Sequence, residues 1–269
     1  MMKQLITLFS FGFLLIGCKN EKRETSGEIT SSEIEVVLED LKTGQDSTYI
    51  SIDPVSHATA IITWGNEVFY IDPTGGASAF KGKGKPAFIL ISDIHGDHTD
   101  PETLKALNLG DTKIIVPQAV KELLPEEMHA QLIVLNNGET TDLMGYKIEA
   151  IPMYNLPEDP DAFHPKGRGN GYLLEKSGKR LYLASDTEDI PELRSLKNID
   201  IALIPMNLPY TMTVDQAAEA VLAFKPKLAY PYHYRGKDGY ADIEKFKELV
   251  NKGNKDIEVK LLDWYPKKE

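Results

Sequence analysis

The sequence predicts an α/β protein in which two β-sheets pack together and are covered by helices. Three observations carry this expectation. Short apolar runs with the composition of strands come first, from residue 34 onward. Mixed strand and helix units follow them in the second half. His and Asp residues gather just behind several of the strands, where α/β proteins place their chemistry.

In chain order, the first 18 residues stand apart. Met1-Met2-Lys3 supplies a short positive start, and the apolar run 5–16 has the length of a signal-peptide core, too short to span as a helix. Leu15-Ile16-Gly17-Cys18 resembles the lipobox of bacterial lipoprotein signals, which implies lipidation at Cys18. Cys18 is the one cysteine in the chain, so no intrachain disulfide can form and no thiolate serves the rest of the protein. The polar segment 19–32 reads as a flexible tether. The expected location is therefore outside the cytoplasm, lipid-anchored to a bacterial membrane in the periplasm or at the outer membrane. Residues 33–269 form the expected folded domain.

Within that domain, strands are expected over 34–38 and 49–52, with a hairpin of 58–64 and 68–71 around Gly65-Asn66. The loop 81–85 is basic and Gly-rich but lacks the Gly-Lys-Ser/Thr ending of a phosphate-binding loop, so it reads as an exposed turn. A buried strand follows over 88–91, then a helix over 101–109, opened by Pro101 and Glu102. A strand at 113–116 precedes an expected helix over 119–130 that carries His129 on its surface. Strands at 132–135, 141–143 and 146–153 lead into a long Pro/Gly/Asp-rich loop, 156–170. A hairpin over Ser177-Gly178 joins 171–175 to 180–184. Helical segments at 191–196, 214–224 (Thr213 as N-cap) and 241–251 alternate with strands at 199–204, 228–232 and 258–262.

With 269 residues, 42% hydrophobic and 26% charged, the chain can bury a large core. The net charge of −11 argues against nucleic acid or an anionic membrane surface as partner. It leaves room for a small-molecule substrate, even an anionic one, because a bound cation can dominate the local field.

The most informative stretch is Ser92-Asp93-Ile94-His95-Gly96-Asp97-His98-Thr99-Asp100. Two of the six histidines and three carboxylates fall within eight positions behind a strand. Imidazole with carboxylate is the ligand mixture that borderline divalent metals favour. Further strand ends carry Asn155, with His164 in the loop after it, then Asp186, and finally His233.

This ordered series resembles the metallo-β-lactamase-fold hydrolases, most closely the branch of ascorbate-6-phosphate lactonases and related exported proteins. The resemblance covers roughly residues 55–235. Ser56-His57-Ala58-Thr59 matches the opening His-Ala segment, and Tyr70-Ile71-Asp72-Pro73 matches a strand ending in Asp-Pro. His95, Asp97 and His98 fit the motif His-x-His-x-Asp-His, but Asp93 stands where its first His belongs. Asn155 stands where a third His is usual, and His164 is the candidate to replace it. Asp186 fits the bridging carboxylate and His233 the final ligand.

The resemblance implies a four-layer αββα sandwich and one or two divalent ions, zinc first, with manganese or iron as alternatives. One centre would gather Asp97, His98 and His233; the other would gather Asp93, His95 and His164; Asp186 would reach both. Asp97 is the candidate catalytic group. The carboxylate of Asp93 favours manganese or iron over zinc at its centre, or weakens that centre so that one metal stays. His57 is expected under the site as an orienting residue. Candidate substrate contacts are Asn155, Arg168, Asn207, Tyr210 and Arg235. The function implied is a metal-dependent hydrolase acting with activated water on a small ester, lactone or phosphoester. The alternatives are a binding lipoprotein with a degenerate site, and metal-centred redox chemistry, for which no flavin-domain pattern is present.

Overall fold

The computed structural model describes residues 47–266. The expected signal segment with Cys18, the tether and the expected strand over 34–38 lie outside the described residues. The first sheet has six strands in sequence order: β1 (Ile50–Ser56), β2 (Thr59–Trp64), β3 (Glu67–Ile71), β4 (Phe88–Leu90), β5 (Lys113–Val116) and β6 (Leu132–Val134). It is antiparallel as far as β3 and parallel from β3 to β6. The second sheet contains β7 (Thr140–Leu143), β8 (Tyr146–Met153), β9 (Gly169–Lys176), β10 (Lys179–Leu183), β11 (Ile201–Pro205), β12 (Leu228–Tyr232) and β15 (Glu258–Val259). Its order is β15-β12-β11-β10-β9-β8-β7. A small ribbon, β13 (Arg235–Gly236) with β14 (Gly239–Tyr240), follows β12.

Alternation along the strands explains the layering. Ala60, Ile62, Phe69, Ile71, Phe88, Leu90 and Ile115 join Tyr146, Ile148, Leu174 and Leu183 of the second sheet in one core. Ring contacts of Trp64 and Phe88 with Tyr146, at 5.3 and 5.1 Å between centroids, hold the sheets face to face. The intervening residues Ile61, Tyr70, Ile89, Ile91, Ile114 and Val116 point the other way. They pack with Leu104 of helix α1 (Pro101–Ala106) and Val120 of α2 (Gln118–Leu123). Beyond the second sheet lie α3 (Pro191–Arg194), α4 (Val214–Phe224) and α5 (Ile243–Gly253). Phe224 of α4 packs edge-on against Tyr182 of β10. The result is an αββα sandwich.

Most expected elements fall within a residue or two of their places, and Thr213 forms a full capping box with Gln216. Two differ. The helix expected over 119–130 is α2 followed by a 3-10 turn, Glu126–Gln131. Pro125 forces Leu124 into an extended conformation, ψ 145°, and the helix stops there. The last strand is only β15, because the chain turns away to bury Trp264 against Tyr232.

Candidate metal centre

Most side chains of the site follow strand ends, and His164 is carried in by the loop between β8 and β9. Because β3 and β4 are parallel, their ends lie side by side, and Asp72 reaches the backbone N–H of Ser92 at 2.7 Å. The segment after β4 then folds into a tight turn. His98 N–H donates to His95 O at 2.9 Å, and Thr99 Oγ1 donates to Asp93 O at 2.6 Å. Asp100 caps α1 immediately behind it. Alternating ligands are thus compressed into one turn between strand and helix.

Asp186, buried at the end of β10, is the centre of the cluster. Its Oδ2 lies 3.2 Å from His98 Nε2 and 3.2 Å from His164 Nε2, and its Oδ1 lies 3.2 Å from His233 Nε2. Asp97 Oδ2 is 3.3 Å from His233 Nε2. On the other flank, His95 Nδ1 sits 2.7 Å from Asp93 Oδ2, and His164 Nε2 lies 3.9 Å from the same oxygen. Ligand atoms of Asp93, His95 and His164 fall within 4.8 Å of one another, as do those of His98, Asp186 and His233.

The chemistry of these atoms fits a metal. His98 Nε2, both ring nitrogens of His164 and of His233, and Asp186 Oδ1 are buried and make no hydrogen bond. They approach each other closely but with the wrong directions for pairing, as atoms do when aimed at a common point between them. Unpartnered buried polar atoms are costly. Four carboxylates (Asp72, Asp93, Asp97, Asp186) gather in this region, and of these Arg168 pairs with Asp93. A divalent cation balances both deficits, and the imidazole and carboxylate donors suit zinc, manganese or iron.

Electrostatics agree. Burial pushes the Asp186 carboxyl up, but His233, His98 and His164 outweigh it and hold the group well below the usual carboxylate range. Burial disfavours the imidazolium of His98, yet Asp186 and Asp72 at its two nitrogens raise it well above its ordinary value. Burial likewise works against ionised Asp97, and the imidazoles of His233 and His57, 3.3 and 3.2 Å from its Oδ2, outweigh it and hold the carboxyl well below its usual range. Burial lowers His57 despite the pull of Asp97, keeping it neutral.

A second tier of residues supports the first; His57 stands in the orienting place expected for it, whereas the roles of Asp72, Ser92, Ser185 and Tyr265 were not read from the sequence. Asp72, fully buried, accepts from His98 Nδ1 at 2.8 Å and from Ser92 Oγ at 2.7 Å, and Ser185 Oγ donates to Ser92 Oγ at 2.6 Å. This anchors His98 through Nδ1 and turns Nε2 toward Asp186, the nitrogen that would ligate a metal once its proton is displaced. His57 closes a chain: Arg235 N–H donates to the Tyr265 hydroxyl, which lies 2.7 Å from His57 Nδ1, while His57 Nε2 lies 3.2 Å from Asp97 Oδ2. That arrangement assigns the ring proton to Nε2 and makes His57 an orienter of Asp97. Backbone geometry could not be read from sequence either. His57, Asp72, Ser185 and His233 all hold φ between 45° and 56°, a region that costs non-glycine residues energy and clusters at functional sites.

Two expected substrate contacts take other roles. Asn155 spends its amide inside the protein: Oδ1 accepts from His164 N–H at 2.8 Å, and Nδ2 donates to Tyr210 O at 2.8 Å and to Glu188 Oε1 at 3.1 Å. It fixes the loop that carries His164 into the cluster. Arg168 grips Asp93, with Nε 3.3 Å from Oδ1 and Nη2 3.2 Å from Oδ2. Asn207, Tyr210 and Arg235 do line a pocket of about 410 Å³, whose floor is His95, Asp97, His164 and Asp186. Phe163 and Lys237 complete its rim.

Two sheets between helices, with His and Asp from strand ends on both sides of one buried carboxylate, define a hydrolase-type metal centre of the metallo-β-lactamase fold. The Beta-lactamase superfamily domain matches residues 51–233, and the chain belongs to that superfamily. A UPF0173 metal-dependent hydrolase of Thermococcus onnurineus is 33% identical over 195 residues, covering 69% of this chain and 86% of that protein. Another, from Thermoplasma acidophilum, is 32% identical over 172 residues, covering 62% of this chain and 74% of its own. A crystal structure from Parabacteroides distasonis, described as a candidate metal-dependent hydrolase, is 38% identical with a TM-score of 0.70, covering 81% of this chain and 96% of its own. The protein is a metal-dependent hydrolase of this superfamily.

Proposed function

We propose that this hydrolase is exported, lipid-anchored at Cys18, and cleaves a small ester, lactone or phosphoester using one or two divalent ions, zinc before manganese or iron. The observation that carries the chemistry is the ring of unpaired imidazole nitrogens around Asp186 at the floor of the pocket. A divalent ion supplies Lewis-acid polarisation of a carbonyl or phosphoryl oxygen and acidifies water. The chain's own residues supply the rest. Asp97, with a side chain 36% exposed toward the pocket, stays ionised and accepts a hydrogen bond from the attacking water, which orients it. Its place between His57 and His233 suits it to positioning. Arg235 and Lys237 stand at the pocket rim with no carboxylate partner among the described residues. They suit a substrate with an anionic group. Phe163 and Tyr210, edge to face at 5.0 Å, offer an apolar wall for its remaining part.

The lactone option rests on the resemblance of the motif series, apart from Asp93 and Asn155, to that of ascorbate-6-phosphate lactonases. Export and anchoring rest on the apolar run 5–16 and the lipobox-like Leu15-Ile16-Gly17-Cys18. No helix among the described residues is long and apolar enough to cross a membrane.

A panel of nitrophenyl esters, lactones and phosphoesters, each in neutral and anionic form, tests the activity against His98→Ala as control. Turnover of at least one class by the wild type and its loss in the variant is expected. A metal-loaded protein that turns over none of them contradicts the hydrolytic reading and favours the binding lipoprotein, to which the Asp93 departure lends support. Cys18→Ser should shift the protein from the membrane to the soluble fraction of the producing cell. Unchanged fractionation would refute the anchor.

A further inference from the structure

We propose that Arg168 is the fixed countercharge that lets a carboxylate at Asp93 stand where the resembled motif has an imidazole, so that the two residues act as one metal-holding unit. The inference concerns how metal is held and is independent of which bond the enzyme cleaves. Replacing a neutral imidazole by Asp adds one negative charge to a site already rich in carboxylates, and Asp93 is fully buried. Arg168 returns that charge with a two-pronged contact, Nε to Oδ1 at 3.3 Å and Nη2 to Oδ2 at 3.2 Å. His95 Nδ1 occupies the opposite side of Oδ2 at 2.7 Å. The carboxylate is therefore clamped in one orientation, with its second oxygen shared between the ligand cluster and the guanidinium.

The backbone is built for this contact. Asn170 N–H donates to Ser92 O at 2.9 Å, tying the start of β9 to the end of the strand that bears Asp93. Gly169 sits between them, and a Cβ there would lie 2.9 Å from Ser92 O and 3.1 Å from Asp93 Oδ1. Only glycine lets the Arg168 segment approach so closely. The same guanidinium also donates from Nη2 to Phe163 O, the residue before His164. One side chain thus sets Asp93 and steadies the loop that presents His164. Arg168 is a positioning residue for both.

The pair predicts coupling that a merely structural arginine would not produce. In Arg168→Leu, Asp93 remains buried without its countercharge and loses its orientation, and zinc affinity falls by about tenfold or more, the scale for losing an outer partner of a ligand. In Asp93→His, an unpaired guanidinium stands beside the ion, and affinity again falls. The double variant, Asp93→His with Arg168→Leu, restores the neutral balance and recovers zinc binding. The readouts are zinc per chain by elemental analysis and dissociation constants from competition with a chromogenic chelator, on the full chain. Wild-type affinity in Arg168→Leu, or a double variant that binds no better than Asp93→His, overturns the proposal. Should Arg168→Leu fail to fold, the comparison of Asp93→His with the double variant decides alone. An insoluble double variant also counts against the pairing, since it carries the charge balance that should suffice.

Discussion

Asp186→Ala abolishes turnover and strips the protein of metal while leaving its fold intact. The Asp186 carboxylate joins both flanks of the site: His98, His164 and His233 all approach its two oxygens at 3.2 Å. Losing an outer partner of a metal ligand costs 10–100-fold in metal affinity or activity, so losing the shared carboxylate itself should cost at least about 10²-fold. The side chain sits at the end of β10 rather than in the apolar core between the sheets, and alanine fits the turn. Its removal relieves a buried charge as well as a ligand. Far-UV circular dichroism should match the wild type, and steady-state turnover of the best substrate from the panel should fall to background. Activity within a few-fold of the wild type would mean that the cluster around Asp186 is structural.

Chelation should destabilise the protein sharply. The buried carboxylate of Asp186 and the unpartnered nitrogens of His98, His164 and His233 have only one another in the metal-free state. Binding to the folded state alone stabilises it by about 4 kcal/mol when free metal is a thousandfold above Kd. For a domain of this size that corresponds to roughly 10 °C in the unfolding midpoint. A chelator such as EDTA should lower the midpoint by that order, and added zinc should restore it. The same protocol on Asp186→Ala should show little shift, because that variant has lost the shared ligand. An unfolding midpoint indifferent to chelator in the wild type would contradict a resident metal.

Much of this was legible in the sequence because the site is built on strand ends. Strands announce themselves by apolar alternation, and residues that interrupt it abruptly, such as Asp93 to His98, Asp186 and His233, mark where each strand stops. The layers were legible for the same reason: Ile61 and Ile62, or Ile89 and Leu90, must face opposite sides of a sheet. What escaped were features set by contacts between distant segments. Asp72 belongs to the site only because β3 and β4 run parallel side by side, which puts its carboxylate on Ser92 and His98. A strand ending in Asp-Pro was the available signal. Asn155 and Arg168 look like substrate contacts by their position near proposed ligands, but their partners, the His164 backbone and Asp93, can be assigned only in three dimensions. The Tyr265–His57–Asp97 chain joins residues 208 apart, a separation no local pattern reports. The break at Pro125 is the opposite case, since the proline was in plain view and the helical pattern around it prevailed in the reading.

The account turns on one claim, that the ring of His and Asp side chains around Asp186 holds metal. Elemental analysis of the purified protein beside Asp186→Ala tests it most directly. One or two equivalents of zinc, manganese or iron per wild-type chain, lost in the variant, is the predicted result. No stoichiometric metal in the wild type, or the same content in both proteins, would contradict it.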